Sequence, residues 1–272
     1  MVINPLNKFE LEKIFSESAQ NLIKYFLFKS FFSQPAVMED QKKLPIHIPK
    51  EHLEQWLVQS LGASPVGSGS YPVDVVDIKR NFAADAKMLA WNGKPGNMSN
   101  ETSLLQKFKD AGNDLDIAFK QNKFDGVVSD WSRLLKKKLN KVKKDYKTIQ
   151  KIYYFFLIRE DRNFHLCGMD VDIEKLSLIS VDRNTKSSVW IKDFIEPRYG
   201  KSNIYKAKKR MELRLYPSNW IKDNLVISFK NPNISVKGKN LKGMDVDSLH
   251  EHALELFNKL FEEIVGCPNK NK

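Results

Sequence analysis

The chain has 272 residues, 42% of them hydrophobic and 17 of them Phe, which is enough apolar side chain for a buried core and too much for a disordered polymer. Its 45 Lys and Arg against 33 Asp and Glu leave a net charge of +12, which favours a polyanionic partner such as nucleic acid or an anionic membrane. The two cysteines, Cys167 and Cys267, exclude a paired-thiol zinc motif and a disulfide framework, and His250 and His252 would fall on different faces of a helix. The N-terminus lacks a basic region followed by an apolar core. The apolar stretch from Leu22 to Phe32 is interrupted by Lys24 and Lys29 and is too short to span a bilayer. A cytoplasmic protein without a membrane segment is expected.

In chain order, Phe9, Leu11, Ile14, Phe15, Leu22, Ile23, Phe26 and Leu27 recur at helical spacings and predict one or two helices over 7–32. Pro35, Pro45 and Pro49 mark a connection. A helix is predicted from Lys50 to Leu61, stopped by Gly62, and Gly67-Ser-Gly-Ser70 forms a flexible lead into a strand at Tyr71–Ile78. A reversal over 79–82 returns the chain into a strand at Ala83–Leu89. Helices are predicted over 100–120 and 126–150, the second with Leu135, Leu139, Val142, Tyr146 and Ile149 as an apolar stripe. Buried strands follow at Ile152–Ile158 and Phe164–Val171, then at Leu176–Val181, Met211–Tyr216 and Leu225–Phe229. A last helix is predicted over 249–264, with Ser248 and Glu251 as a capping box. The pattern is α/β (α+β), a central mixed β-sheet flanked by helices. It predicts a single domain over 1–272 with an N-terminal helical segment at about 1–34 and a catalytic core at about 50–230.

The chemistry-bearing constellation lies on the predicted hairpin. Asp85 and Lys87 are two apart on a strand and so share a face. A second carboxylate from the neighbouring strand would complete a site for a hard divalent cation and a water beside a phosphate. Asp74 and Asp77 compete for that place. If Asp74 stands opposite Asp85, Asp77 stands opposite Phe82 and faces away, and a one-residue slip reverses the choice. Asp74 is preferred because it leaves more room for the turn, with Asp77 as second candidate. The backbone carbonyl of Ala86 is a natural third ligand. Glu54, on the preceding helix, is an additional candidate.

Pro72-Val73-Asp74, a short hairpin and Asp85-Ala86-Lys87 together resemble the PD-(D/E)XK nuclease superfamily, to which many type II restriction endonucleases belong. The Gly/Ser-rich segment and the helix carrying Glu51 and Glu54 also suit that core, and the resemblance covers about residues 50–90. Val73 separates the proline from the aspartate, where the family usually has Pro-Asp. The resemblance implies a restriction-endonuclease-like core and Mg²⁺ as cofactor. It also implies sequence-specific hydrolysis of double-stranded DNA giving 5′-phosphate ends, and a homodimer on a two-fold symmetric target. Asp74, Asp85 and Lys87 would be catalytic. The alternatives are a non-catalytic DNA-binding protein and a structure-specific repair or junction nuclease. Gly67-Ser-Gly-Ser70 lacks the Gly-Lys-Ser/Thr ending and leads into a strand, so no nucleotide cofactor is expected.

Three basic segments compete for the DNA. Residues 133–151 carry nine Lys and Arg and one acid, Asp145, and Lys230 to Lys242 contains four lysines and no acid. The stretch Arg198-Tyr199-Gly-Lys201-Ser-Asn203-Ile-Tyr reads as a loop and leads into Lys206, Lys208, Lys209 and Arg210. Arg and Asn suit the guanine and adenine edges of the major groove, and lysines suit phosphates, so 198–210 is the expected recognition element.

Overall fold

A computed structural model describes residues 1–32, 46, 48–66, 71–106, 115–161, 163–230 and 255. In chain order the elements are β1 (Ile3–Pro5), α1 (Lys8–Ile14), α2 (Glu17–Phe32), α3 (Lys50–Leu61), β2 (Ser64–Pro65), β3 (Val75–Asp77), β4 (Phe82–Trp91) and β5 (Thr102–Gln106). They continue with α4 (Leu115–Lys120), α5 (Phe124–Asp145), β6 (Lys151–Glu160), β7 (Asn163–Val171), a 3₁₀ turn (Glu174–Leu178), β8 (Ser180–Asn184), β9 (Ser188–Lys192), β10 (Gly200–Tyr205), β11 (Arg210–Leu215), α6 (Pro217–Lys222) and β12 (Ile227–Lys230).

The first sheet is mixed, in the order β1-β7-β6-β4-β3-β2, with β12 also pairing with β7. Its centre is the parallel pair β4 and β6, in register from Phe82 opposite Lys151 to Trp91 opposite Glu160. A parallel pair needs a long crossover, and β5, α4 and α5 occupy it. The uninterrupted apolar run in β6 follows from burial on both faces. Ile152, Tyr154, Phe156 and Ile158 enter the core built with α5 and the second sheet. Tyr153, Phe155 and Leu157 enter the core built with α1, α2 and α3. Gly168 of β7 lets that helical layer close, since a Cβ there would stand 3.0 Å from both Leu11 Cδ2 and Phe155 Cδ1.

The second sheet, β5-β11-β10-β9-β8, is antiparallel. Val189, Ile191, Ile204, Met211, Leu213 and Leu215 pack from it onto the α5 side of the first sheet. The mixed sheet flanked by helices agrees with the expected fold class. Several element assignments differ. The helix expected over 100–120 is the strand β5 and the short helix α4, with 107–114 outside the described residues. The strand expected at Leu176–Val181 is a 3₁₀ turn followed by β8. The supposed loop at 198–205 is largely β10. The Gly67–Ser70 lead, most of the proline-marked connection and the helix expected over 249–264 lie outside the described residues, except Glu255. Among the described residues, no helix is long and apolar enough to cross a membrane.

Candidate active site

β3 and β4 form the antiparallel hairpin, with Val75 opposite Ala84, Val76 opposite Ala83 and Asp77 opposite Phe82. The return is made at Asn81, whose φ of 57° is a left-handed conformation that Asn tolerates. Asp74 lies just beyond that ladder: its N–H donates to the Ala84 carbonyl at 2.9 Å, a bond offset by one residue from the ladder's register, which brings Asp74 beside Asp85. At this point the chain has left the ladder. There the Asp74 side chain takes over as acceptor, its Oδ2 receiving the Ala86 N–H at 2.8 Å. The N–H and C=O of one strand residue point to the same side, so the Ala86 carbonyl also faces Asp74.

Asp85 and Lys87 lie on the α5 side of the sheet, between Ala83 and Leu89, which enter that core. Lys87 Nζ donates to Asp85 Oδ1, and the two side chains are only 16% and 8% exposed. Asp74 is pushed up to about 6, first by burial and then by the charge and the hydrogen bond of Asp85; the Ala86 N–H and the Lys87 ammonium pull the other way. Two carboxylates in one low-dielectric place cannot both ionise at low cost. Tyr154 stands opposite Asp85 in the parallel register, and burial, then the Asp85 charge, push its phenol up. It belongs to the surroundings of the site only through that register, which no local sequence signal announces.

Asp77 faces the other layer. Its Oδ1 accepts the Arg80 N–H at 2.9 Å and its Oδ2 accepts Arg80 Nε at 2.6 Å. The same guanidinium donates to the Ile14 carbonyl and to the Leu61 carbonyl, each at 2.7 Å, near the C-terminal ends of α1 and α3. Asp77 thus ties the hairpin turn to two helices and does not join Asp74 and Asp85. Asp77→Ala is expected to lower stability by about 1–3 kcal/mol by stranding these donors. Thermal melts check this, and a variant as stable as the parent would show that Asp77 does not anchor the turn. Glu54 is half-buried on α3, whose Leu53, Trp56, Leu57 and Leu61 pack with Ala84 and Ala86 on the face opposite Asp85.

Among the described residues, no three or more His, Cys, Asp or Glu side chains cluster to hold a metal. A cation here would therefore rest on Asp74, Asp85 and the Ala86 carbonyl, with water filling the rest. This all-oxygen set suits Mg²⁺, which keeps several of its waters. The raised Asp74 is the observation that favours the fit: the repulsion behind it is what a divalent charge would relieve.

The expected recognition segment is a strand hairpin in which three of the cations, Arg198, Lys206 and Lys208, have acidic partners. Arg198 is bound twice to Asp223, at 2.7 Å each, and Tyr199 donates to the same carboxylate at 2.9 Å. Lys206 pairs with Asp116 at 3.3 Å, and Lys208 with Glu101 at 2.7 Å and Glu212 at 3.5 Å. Asn203 is 3% exposed in mid-strand, opposite Glu212. Lys201 lies beside the Tyr216 ring, Lys209 closes the turn at a φ of 48°, and Arg210 begins β11. As placed, Asn203 is buried and Arg198 has its Nε–Nη2 edge committed to Asp223. The third basic run, beyond Lys230, lies outside the described residues. No family model matches the chain, and comparison with curated proteins and with solved structures likewise finds no match.

Proposed function

We propose that the protein is a Mg²⁺-dependent endodeoxyribonuclease of the type II restriction kind, acting as a homodimer on a short sequence in duplex DNA. The supporting observation is the meeting of Asp74, Asp85 and Lys87 on one hairpin, with Asp74 held at Ala86 and Lys87 at Asp85. Bound Mg²⁺ would polarise the scissile phosphate and offset the charge of the two aspartates. Asp74, Asp85 and the Ala86 carbonyl would hold it. Lys87 Nζ would orient the attacking water and offset charge as its oxygen bonds to phosphorus. The P–O3′ bond would break as the new O–P bond forms, the attacking water giving up a proton to solvent and the departing O3′ taking one from solvent, which leaves a 5′-phosphate and a 3′-hydroxyl.

Digestion of phage DNA with Mg²⁺ and with EDTA tests the reading. Discrete, metal-dependent fragments with 5′-phosphate ends are expected. Bound but uncut DNA at every Mg²⁺ concentration would overturn it in favour of a binding protein. Cleavage of branched but not intact duplex substrates would overturn it in favour of a structure-specific nuclease.

A further inference from the structure

The outer flank of α5 carries a second concentration of positive charge, whereas Arg198, Lys206 and Lys208 around the β10–β11 hairpin are paired with acids. Residues 133–147 hold eight Lys and Arg and one acid, Asp145. The inner stripe of the helix, Trp131, Leu135, Leu139 and Val142, is buried, which turns the lysines outward. A groove of about 750 Å³ runs along this flank, lined by Lys137, Lys138, Lys141 and Lys144 among others. Lys136 is taken by Glu174, and Lys141 by Asp145. Lys137 and Lys144 are exposed and form no ion pair with another described residue. Part of this charge answers the helix dipole, since Lys143 and Lys144 lie in the last turn. Lys137, near mid-helix, lies outside its reach, and Lys138 donates to the Leu104 carbonyl.

The groove ends where the catalytic segment begins. Asp145, its one carboxylate among the described residues, accepts the Tyr71 hydroxyl at 2.8 Å, and the Lys141 ammonium lies 4.9 Å from the centre of the Tyr71 ring. Tyr71 precedes Asp74 by three residues. At about 1.5 Å rise per residue, Lys137, Lys141 and Lys144 span about 10 Å along the helix. One strand of duplex DNA rises about 3.4 Å along the axis per phosphate, so a helix laid along the duplex covers the axial rise of about three phosphate steps.

We propose that this flank of α5 is the surface that holds the duplex backbone and leads it to Asp74 and Asp85. The inference rests on the nuclease reading for its ligand, and it moves the main phosphate contact from 198–210 to α5. Asp145 does not oppose this, because its charge is already held by Lys141 and Tyr71.

The test is binding of a fluorescent duplex in Ca²⁺ across a salt series, with Lys137→Glu/Lys144→Glu, Lys137→Ala/Lys144→Ala and the matched control Lys186→Glu/Lys192→Glu on the second sheet. The groove variants are expected to bind about tenfold or more weakly, and the alanine pair should lower the salt slope by about two, since each phosphate contact contributes roughly 0.9. The control should bind as the parent does. The alanine pair retains good helix formers, so it covers the case in which charge reversal prevents folding. Parent-like affinity and slope in both groove variants would overturn the proposal. So would an equal loss in the control, which would make net charge the cause, or capture by anionic vesicles with no binding of DNA. DNA held through α5 but never cut in Mg²⁺ would overturn the nuclease reading alone. Metal-dependent cutting unaffected by the groove variants would overturn this surface alone.

Discussion

Lys87→Ala is expected to reduce Mg²⁺-dependent cleavage by about 10²–10⁴-fold, the range in which a positioned acid–base group contributes. Lys87 is held in place: its ammonium is bound to Asp85, and its side chain is mostly buried beside the strand core. Alanine leaves the hairpin register intact, because Lys87 sits inside ten consecutive β4–β6 pairs that its side chain does not make. Duplex binding in Ca²⁺ should therefore persist. Asp85→Ala should lose cleavage to a similar extent and should also weaken the response to metal. Full activity in either folded variant removes both residues from the chemistry.

Asp74→Asn is expected to stabilise the metal-free protein while abolishing its activity. The Asp74 carboxyl is raised from 3.8 to about 6, so the folded state holds this proton more tightly than the unfolded chain does. The stability contributed by this group is fully present below about pH 4 and is lost as pH rises through 6. Above that, the ionised carboxylate costs about 1–3 kcal/mol. Asparagine carries no charge and can still accept the Ala86 N–H. In EDTA at pH 8 its melting temperature should exceed the parent's by about 2–6 °C, and at pH 4 the two should converge. Mg²⁺ should then raise the parent's melting temperature more than the variant's. A variant less stable than the parent in EDTA at pH 8 would show that Asp74 is held by favourable partners and not by repulsion.

The strong, two-sided signals were legible in the sequence. The β6 run and the α5 stripe were readable because each is dictated by its own burial pattern. The hairpin was readable as a pair of strands, but the choice between Asp74 and Asp77 was not. It depends on the turn at Asn81 and on Arg80, whose bonds to Ile14 and Leu61 are set by helices remote in sequence. Leu104 and Leu105 read as helical because a five-residue strand contains too little periodicity to argue otherwise; β5 exists because β11 offers it an edge. Arg198, Lys206 and Lys208 read as part of an exposed basic loop because their partners, Asp223, Asp116, Glu101 and Glu212, are not visible as such in the sequence. Charge is visible in a sequence, but its neutralisation is a tertiary fact.

The position of β4 inside the sheet has a consequence for timing. With β6 paired along the whole of β4, and β3 along the other edge only as far as Ala84, Asp85 and Lys87 ride on a strand that opens only when it parts from β6. A site built on a central strand is preset, in contrast to one carried on a closing loop. Adjustment is left to whatever molecule arrives there. The encounter is one in which the guest bends and the host waits.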